Sequence, residues 1–389
     1  MSEINLPIFQ ENNCLLFALG RNAIYAACLT LGLKPGDEVL TPAFDCDGSL
    51  QPFKVLNYKL SLFRSDAYTF AVDIDDLRKR ITRNTKLIHI INHFGFAQPW
   101  HDLLSLREEV GIPILEDNAY SLFSIYNGRL FGTFGDMSIF SLRKNLPLID
   151  GGLLRVNNSS YISKVVNPNA PRLFYPTELS GLFHCVKAML GYEKIPQRLR
   201  HFIRAIKPSI APPPPLYSDQ SIGYPDWPWR DQIGQEFSCD YLRPMSRLAR
   251  NQLRQLSRNH YEEIKRKKRE CYAWLSNSLK NVRGVRILWP DLPDGVIPFS
   301  LSFLVESGRD RLLERFCGKY DVMAWPTLSK LVLDQLAEFP EVEVLGRKLL
   351  QFNLPAGSIM RPGFQQYVEA FVRDITRESQ TWLTGSLAT

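Results

Sequence analysis

Two short runs, Leu87-Ile88-His89-Ile90-Ile91 and Pro113-Ile114-Leu115-Glu116-Asp117, are apolar almost from end to end. Strands that alternate polar and apolar residues cover one face; runs like these are covered on both. Trp100–Val110 lies between them with a helical period, so two doubly covered strands are joined by a helix. The same rhythm extends upstream. Asn22–Leu33 places Ala23, Ala26, Ala27, Thr30 and Leu31 on one helical face and meets stop signals at Gly32 and Pro35-Gly36. Glu38–Thr41 and Lys59–Leu62 suit strands, and Asp73–Ile81 a helix. Alternating strands and helices imply right-handed crossovers and a largely parallel sheet, hence an α/β fold with flanking helices. Such sheets take ligands beyond the carboxyl ends of their strands, where Asp117 and the turn at Gly20 fall.

The rhythm breaks over 160–235. That stretch holds an apolar helix-like segment (Leu182–Leu190), a basic segment, and Ala211-Pro212-Pro213-Pro214-Pro215, which has to be extended. It reads as an insertion or bridge. A length of 389 residues accommodates a large domain over 1–235 and a smaller α+β domain over 236–389. In the latter, one long amphipathic helix is expected from Leu242 to about Leu279. A strand over Pro298–Val305 and helices over Asp310–Tyr320 and Gln365–Ser379 follow.

Composition narrows the function classes. The net charge of +7 is partly local, in Arg198–Lys207 and Lys265–Arg269, and no aromatic residues interleave those clusters for base stacking. Solvated helix faces are the reading, and nucleic acid is set aside. The apolar helix and basic run within 160–235 could rest on an anionic membrane surface, but packing against protein is favoured. Seven scattered cysteines (14, 28, 46, 185, 239, 271, 317), never spaced Cys-x-x-Cys, argue against a disulfide framework or a zinc site and for a reducing compartment. No metal is expected. The N-terminus lacks a basic start before an apolar run, and no stretch has the roughly 18 apolar residues of a spanning helix. A cytoplasmic protein is expected.

Three segments carry chemistry. Ser138–Leu142 is an apolar stretch that delivers Ser141 and Lys144 to a loop ending at Asp150-Gly151-Gly152. A lysine held near apolar surface loses part of its preference for charge and becomes a nucleophile toward aldehydes. Gly20-Arg21-Asn22-Ala23 opens a helix, where backbone N–H groups favour a phosphate. Glu116-Asp117-Asn118-Ala119-Tyr120 ends a buried strand with a carboxylate. A phosphate cradle, a carboxylate and a buried lysine are the parts a pyridoxal 5′-phosphate site needs. Other residues read more blandly. His93 is expected to be a satisfied strand-end histidine, and Cys46 a small buried hydrophobe. Tyr120 is open between core and cofactor contact, and Trp325-Pro326 between cleft wall and core.

The sequence resembles the DegT/StrS-type sugar aminotransferases, pyridoxal phosphate enzymes of the aspartate-aminotransferase fold (fold type I). The resemblance runs through Leu31-Gly32-Leu33-Lys34-Pro35-Gly36-Asp37-Glu38-Val39, Pro42-Ala43-Phe44, Glu116–Ala119, Gly132–Asp136 and Phe140–Gly152, with weaker matches at Met245-Ser246 and Leu354-Pro355. It implies that Lys144 is the Schiff-base lysine and later the proton shuttle, and that Asp117 partners the pyridine nitrogen. Ser141 and the backbone of Gly20, Arg21 and Asn22 would hold the phosphate, with Tyr120 where the family bonds the phenolic oxygen. It also implies a homodimer, an amino donor such as glutamate, and a keto-sugar acceptor, nucleotide-linked, in polysaccharide or secondary-metabolite biosynthesis. The chain departs from the pattern in five places. Two residues rather than four separate Ser141 from Lys144. Arg21 stands where a small or hydroxylated residue is usual, and Cys46 where an aromatic stacks, leaving Phe44 or His93 for that task. Tyr120 replaces glutamine or histidine, and Asp240, with Arg243 nearby, replaces an asparagine. Two alternatives remain: an enzyme of another reaction type on the same cofactor, though dehydrating relatives replace the lysine that Lys144 retains, and a non-catalytic binding or scaffold protein.

Overall fold

The computed structural model describes residues 6, 8, 13–173, 240–316, 319–324 and 328–381. Leu182–Leu190, the proline run, Arg198–Lys207, Trp325-Pro326 and the boundary at 235/236 lie outside the described residues.

The first part of the chain builds a seven-stranded sheet from β1 (Cys14–Phe17), β2 (Glu38–Pro42), β3 (Lys59–Phe63), β4 (Thr85–Ile91), β5 (Ile114–Asn118), β8 (Met137–Ser141) and β9 (Gly152–Val156), with a small hairpin, β6 (Ile125–Tyr126) and β7 (Arg129–Leu130), between. The spatial order is β1-β9-β8-β5-β4-β2-β3, and only the pairings of β9 are antiparallel. The alternation within β4 shows why its sequence is apolar throughout. Leu87 packs with Ala23, Ala26 and Ala27 of α1 (Gly20–Leu31) on one face. Ile88 and Ile90 pack with Trp100, Leu103 and Leu106 of α4 (Trp100–Val110) on the other. Helices therefore cover both faces, as the runs at 87–91 and 113–117 require.

Gly32 ends α1 in the left-handed region (φ 77°), and Asp73 caps α3 (Ile74–Arg80) by accepting from the Asp76 N–H. Two short elements border the cleft: α2 (Asp47–Val55), which contains Pro52, and α5 (Leu142–Asn145). Lys144 thus sits on one helical turn where the sequence suggested a loop. Glu116, fully buried in β5, accepts from the N–H groups of Gly132, Phe134 and Gly135 at 2.6–3.1 Å and from Ser138 Oγ at 3.0 Å. That single carboxylate ties down the 132–135 loop and leads the chain into β8.

The expected helix from Leu242 to Leu279 is two helices, α6 (Arg247–Gln255) and α7 (Arg258–Leu279). Ser246 caps the first. Ser257 breaks the run by capping the second, with its hydroxyl accepting from the His260 N–H and the His260 ring answering to the Ser257 N–H. Residues 240–243 make a turn closed by the Arg243 N–H on Asp240 O (3.3 Å), and 243–246 then run beside β1 through Ala18 N to Arg243 O (2.9 Å) and Met245 N to Leu16 O (3.2 Å). Beyond α7, β10 (Val285–Ile287), β11 (Ser300–Val305), β12 (Val322–Met323) and β13 (Leu349–Asn353) form an antiparallel sheet in the order β10-β11-β13-β12. It is sealed to the first sheet by apolar contact, with Phe96 and Trp289 stacked at 3.9 Å, and by the Phe299 N–H bonding Phe94 O at 2.8 Å.

Candidate active site

The carboxyl ends of β2, β4, β5 and β8 converge on the start of α1 and leave a cleft of about 650 Å³, open mouth included. Gly20, Arg21, Asp117, Tyr120, Ser141 and Lys144 all line it, so six of the seven residues singled out in the sequence share one wall-to-wall space. The seventh, Asn22, does not. Its N–H bonds Leu19 O at 3.1 Å, and its amide donates to Tyr241 O at 3.0 Å, anchoring the 240–243 turn to α1.

Glycines make the approach of these elements possible. A Cβ on Gly152 would run into Leu19 O and Gly20 N, so only glycine lets β9 start against the entrance of α1. At Gly20 a Cβ would stand 3.5 Å from the Ser141 Cβ and fill the space between helix and strand. Leu19 offers α1 no side-chain cap, which leaves first-turn N–H groups to find other acceptors. Ser141 is buried, and its hydroxyl has no partner among the described residues. Arg21 reaches Gln51 Oε1 at 3.0 Å. Arg143 also lines the cleft, and its guanidinium makes no hydrogen bond or ion pair among the described residues. Two guanidinium groups, a hydroxyl and a helix start therefore stand on one side.

Lys144 Nζ donates to the Tyr120 hydroxyl at 2.9 Å and lies 4.0 Å from the centre of that ring. Burial pushes its pKa below the ordinary lysine value; Cys46 and Asp117 oppose the shift, and Arg143 and Arg21 reinforce it. Burial likewise holds the Tyr120 hydroxyl well above its usual range, so it is a neutral phenol. Asp117 is 3% exposed. Its Oδ1 accepts from the Ala119 N–H at 2.8 Å, and its Oδ2 faces His89 Nε2 at 3.3 Å, which leaves acceptor capacity toward the cleft.

The residues fit pyridoxal 5′-phosphate on these observations. The cleft holds cations and an unpartnered hydroxyl for a phosphate, a buried carboxylate for a protonated ring nitrogen, and an amine whose charge burial disfavours.

The remaining sequence candidates lie elsewhere. His93 is buried beside Phe44 and Phe70, with Nε2 3.2 Å from Phe44 O, and burial lowers its pKa to about 4. Neither it nor Phe44 lines the cleft. Cys46 does line it, half-buried, with Sγ 3.8 Å from Ser49 Oγ. Asp240 is exposed and accepts from Asn169 at 2.9 Å, outside the cleft. Three lining or supporting groups went unnamed in the sequence: Arg143, Asp45 and His89.

Comparison with known proteins agrees with this geometry. Residues 8–167 match the model of the DegT/DnrJ/EryC1/StrS aminotransferase family. GDP-perosamine synthase of Escherichia coli O157:H7 is 28% identical over 165 residues, which are 41% of this chain and 45% of that protein. The match thus spans less than half the length of that relative. Among solved structures, the aminotransferase TlmJ of Streptoalloteichus hindustanus superposes with a TM-score of 0.65 at 18% identity, over 96% of this chain and 87% of that one. The sugar aminotransferase Spr1654 of Streptococcus pneumoniae, in its pyridoxal phosphate form, gives 0.63 at 14% identity, over 97% and 89%. The chain thus shares its fold with these aminotransferase structures, and its residues 8–167 are similar to the DegT/DnrJ/EryC1/StrS aminotransferase family.

Proposed function

We propose that this chain is an aminotransferase that uses pyridoxal 5′-phosphate to move an amino group from a donor such as glutamate to a keto-sugar, nucleotide-linked, in polysaccharide or secondary-metabolite assembly. The observation that carries the reading is the Lys144 amine and the Asp117 carboxylate lining one cleft. The family match and the name of the Escherichia coli relative support the substrate class, a sugar carried on a nucleoside diphosphate.

When bound, the cofactor supplies an aldehyde and an electron-withdrawing ring. The chain's residues do the rest. Asp117 holds a proton on the ring nitrogen by charge and hydrogen bond. Ser141, Arg21 and Arg143 hold the phosphate beside the start of α1. Lys144, whose charged form burial disfavours, takes and returns the proton that moves at the substrate carbon. The Tyr120 hydroxyl fixes where Nζ waits, 2.9 Å away.

The proposal extends to a homodimer working in the cytoplasm, which the family resemblance supports. No helix among the described residues is long and apolar enough to cross a membrane, and the segment suspected of resting on a membrane surface lies outside the described residues.

The test is chemical. Protein mixed with pyridoxal 5′-phosphate and then borohydride should carry one reduced adduct, which peptide mass spectrometry places on Lys144. With glutamate and a nucleoside-diphosphate keto-sugar, 2-oxoglutarate should accumulate. Lys144→Ala should lose both signals with its fold intact. Protein that takes up no cofactor supports the scaffold reading instead.

A further inference from the structure

Behind Asp117 lies a buried network to which the proposed chemistry assigns no role. Thr41 lies near the end of β2, Asp45 follows that strand in the loop, His89 sits within β4, and Asp117 lies in the adjacent β5. All four are nearly or wholly buried, at 0, 1, 0 and 3% exposure. His89 Nε2 is 3.3 Å from Asp117 Oδ2, and Nδ1 is 3.0 Å from Thr41 Oγ1. The Thr41 hydroxyl reaches Asp45 Oδ2 at 3.5 Å, and that oxygen is 4.0 Å from His89 Nδ1. Asp45 Oδ1 accepts from the Cys46 N–H at 2.6 Å and from Ser49 Oγ. Phe53 of α2 packs edge-on against the imidazole at 5.3 Å and closes the network from that side.

Two carboxylates joined through one imidazole pose an electrostatic problem, because buried like charges oppose each other's ionisation. The imidazole and the Thr41 hydroxyl stand between the two, with Nε2 facing Asp117, Nδ1 facing Thr41, and the Thr41 hydroxyl facing Asp45. Asp45 and Asp117 both also line the cleft, so the charge of the network is felt by whatever binds there.

We propose that Asp45 and His89 are positioning residues for the ring-binding carboxylate: His89 fixes Asp117 in its cleft-facing orientation, and the charge on Asp45 reaches Asp117 through the His89 ring. The inference rests on the pyridoxal phosphate reading for its consequence, though not for the network itself. Burial pushes the Asp45 carboxyl up to about 6; the charge of His89 and the Ser49 hydrogen bond pull it down, and Asp117 pushes it further up. The other titratable groups facing this region are Cys46 after β2, His93 after β4, Tyr120 after β5, and Lys144 on α5. As pH falls through about 6 the network gains a proton. A protonated ring nitrogen beside Asp117 then loses part of the negative potential that favours it.

Nitrogen-15 NMR of histidine-labelled, ligand-free protein tests the network alone. The His89 ring signals, assigned by their loss in His89→Gln, should show an inflection near pH 6 that disappears in Asp45→Asn and survives in Asp45→Glu. A pH response of the His89 signals that is identical in parent and Asp45→Asn overturns the proposal. Should Asp45→Asn fail to fold, Thr41→Val cuts the same bridge, and an unchanged inflection there is equally fatal. The consequence is read from the dissociation constant of pyridoxal 5′-phosphate between pH 5 and 8. The ratio of the Asp45→Asn constant to the parent's should rise from about one at pH 5 to about tenfold at pH 7.5. A ratio that stays flat across that range refutes the coupling. Protein that binds no pyridoxal phosphate at any pH refutes the proposed function, and the NMR result then still decides whether the relay exists.

Discussion

The amine of Lys144 meets Tyr120 twice, donating to its hydroxyl at 2.9 Å and lying 4.0 Å from the centre of its ring. Both contacts favour the ammonium form, against a burial that lowers its pKa. Tyr120→Phe removes one and keeps the other. The charged form then loses a hydrogen bond, so the pH at which Lys144 becomes reactive should move further down. Labelling with a carbonyl reagent and borohydride across a pH series, quantified at Lys144 by mass spectrometry, reads that midpoint directly. An upward movement would show that the hydroxyl favours the neutral amine.

Arg143 has no hydrogen-bond or ion-pair partner among the described residues, although it borders the cleft beside Ser141. Its task under the proposed function is the phosphate, which it shares with Ser141 and Arg21. A charge-assisted hydrogen bond contributes about 1.5–3 kcal/mol. Arg143→Gln should therefore weaken pyridoxal 5′-phosphate binding by about ten- to a hundredfold. Pyridoxal, which lacks the phosphate, should bind parent and variant alike. Equal losses for both ligands would place Arg143 outside the phosphate contact.

Gly20, Asp117 and Lys144 could be read from the chain because each sits in a contiguous signal: a helix start, the end of an apolar run, and a run into a double glycine. Strands covered on both faces, such as 87–91 and 113–117, were equally plain. The elements that escaped have physical reasons. The α2 helix carries Pro52 and little periodicity. The apolar pattern of α6 passes unbroken into α7, so only the capping by Ser257 and His260 marks the break. The relay of His89 escaped because its partners come from neighbouring strands, 28 and 48 residues away along the chain. One signal was present: a histidine inside a buried apolar run must find polar partners there. Arg143 adjoins Lys144 in sequence, and only the fold shows that it lines the cleft.

Glu116 separates the motif that builds the fold from the motif that does chemistry, though it adjoins Asp117 in sequence. Its carboxylate collects three backbone N–H groups and a hydroxyl, at 2.6–3.1 Å, without lining the cleft. Glu116→Gln replaces one accepting oxygen with a donor that must face an N–H. A loss of about 3 kcal/mol is expected, measured as a lower urea midpoint with an unchanged slope. The borohydride-fixed adduct on Lys144 should persist under native conditions. Loss of the adduct in a fully folded variant would give Glu116 a part in the site.

Lys268 offers a prediction whose sign depends only on burial. It lies on α7 at 1% exposure, with Nζ 5.7 Å from the Phe299 ring centre and no hydrogen bond or ion pair among the described residues. Desolvation lowers its pKa from 10.5 to about 7. Above the unfolded value both states carry a neutral amine, and the residue is neutral in the balance. As pH falls from 10.5 toward 7 the unfolded chain takes up a proton that the folded chain refuses, so stability drains away over that window and the loss is complete below it. Lys268→Met keeps the length and apolar stem without the amine. The variant should match the parent near pH 10.5 and exceed it increasingly as pH falls, by about 5 kcal/mol at most near pH 6. Urea unfolding of both proteins at intervals between pH 6 and 10.5 measures the gap. A gap that does not change with pH would mean that the ammonium is already solvated or paired in the folded protein.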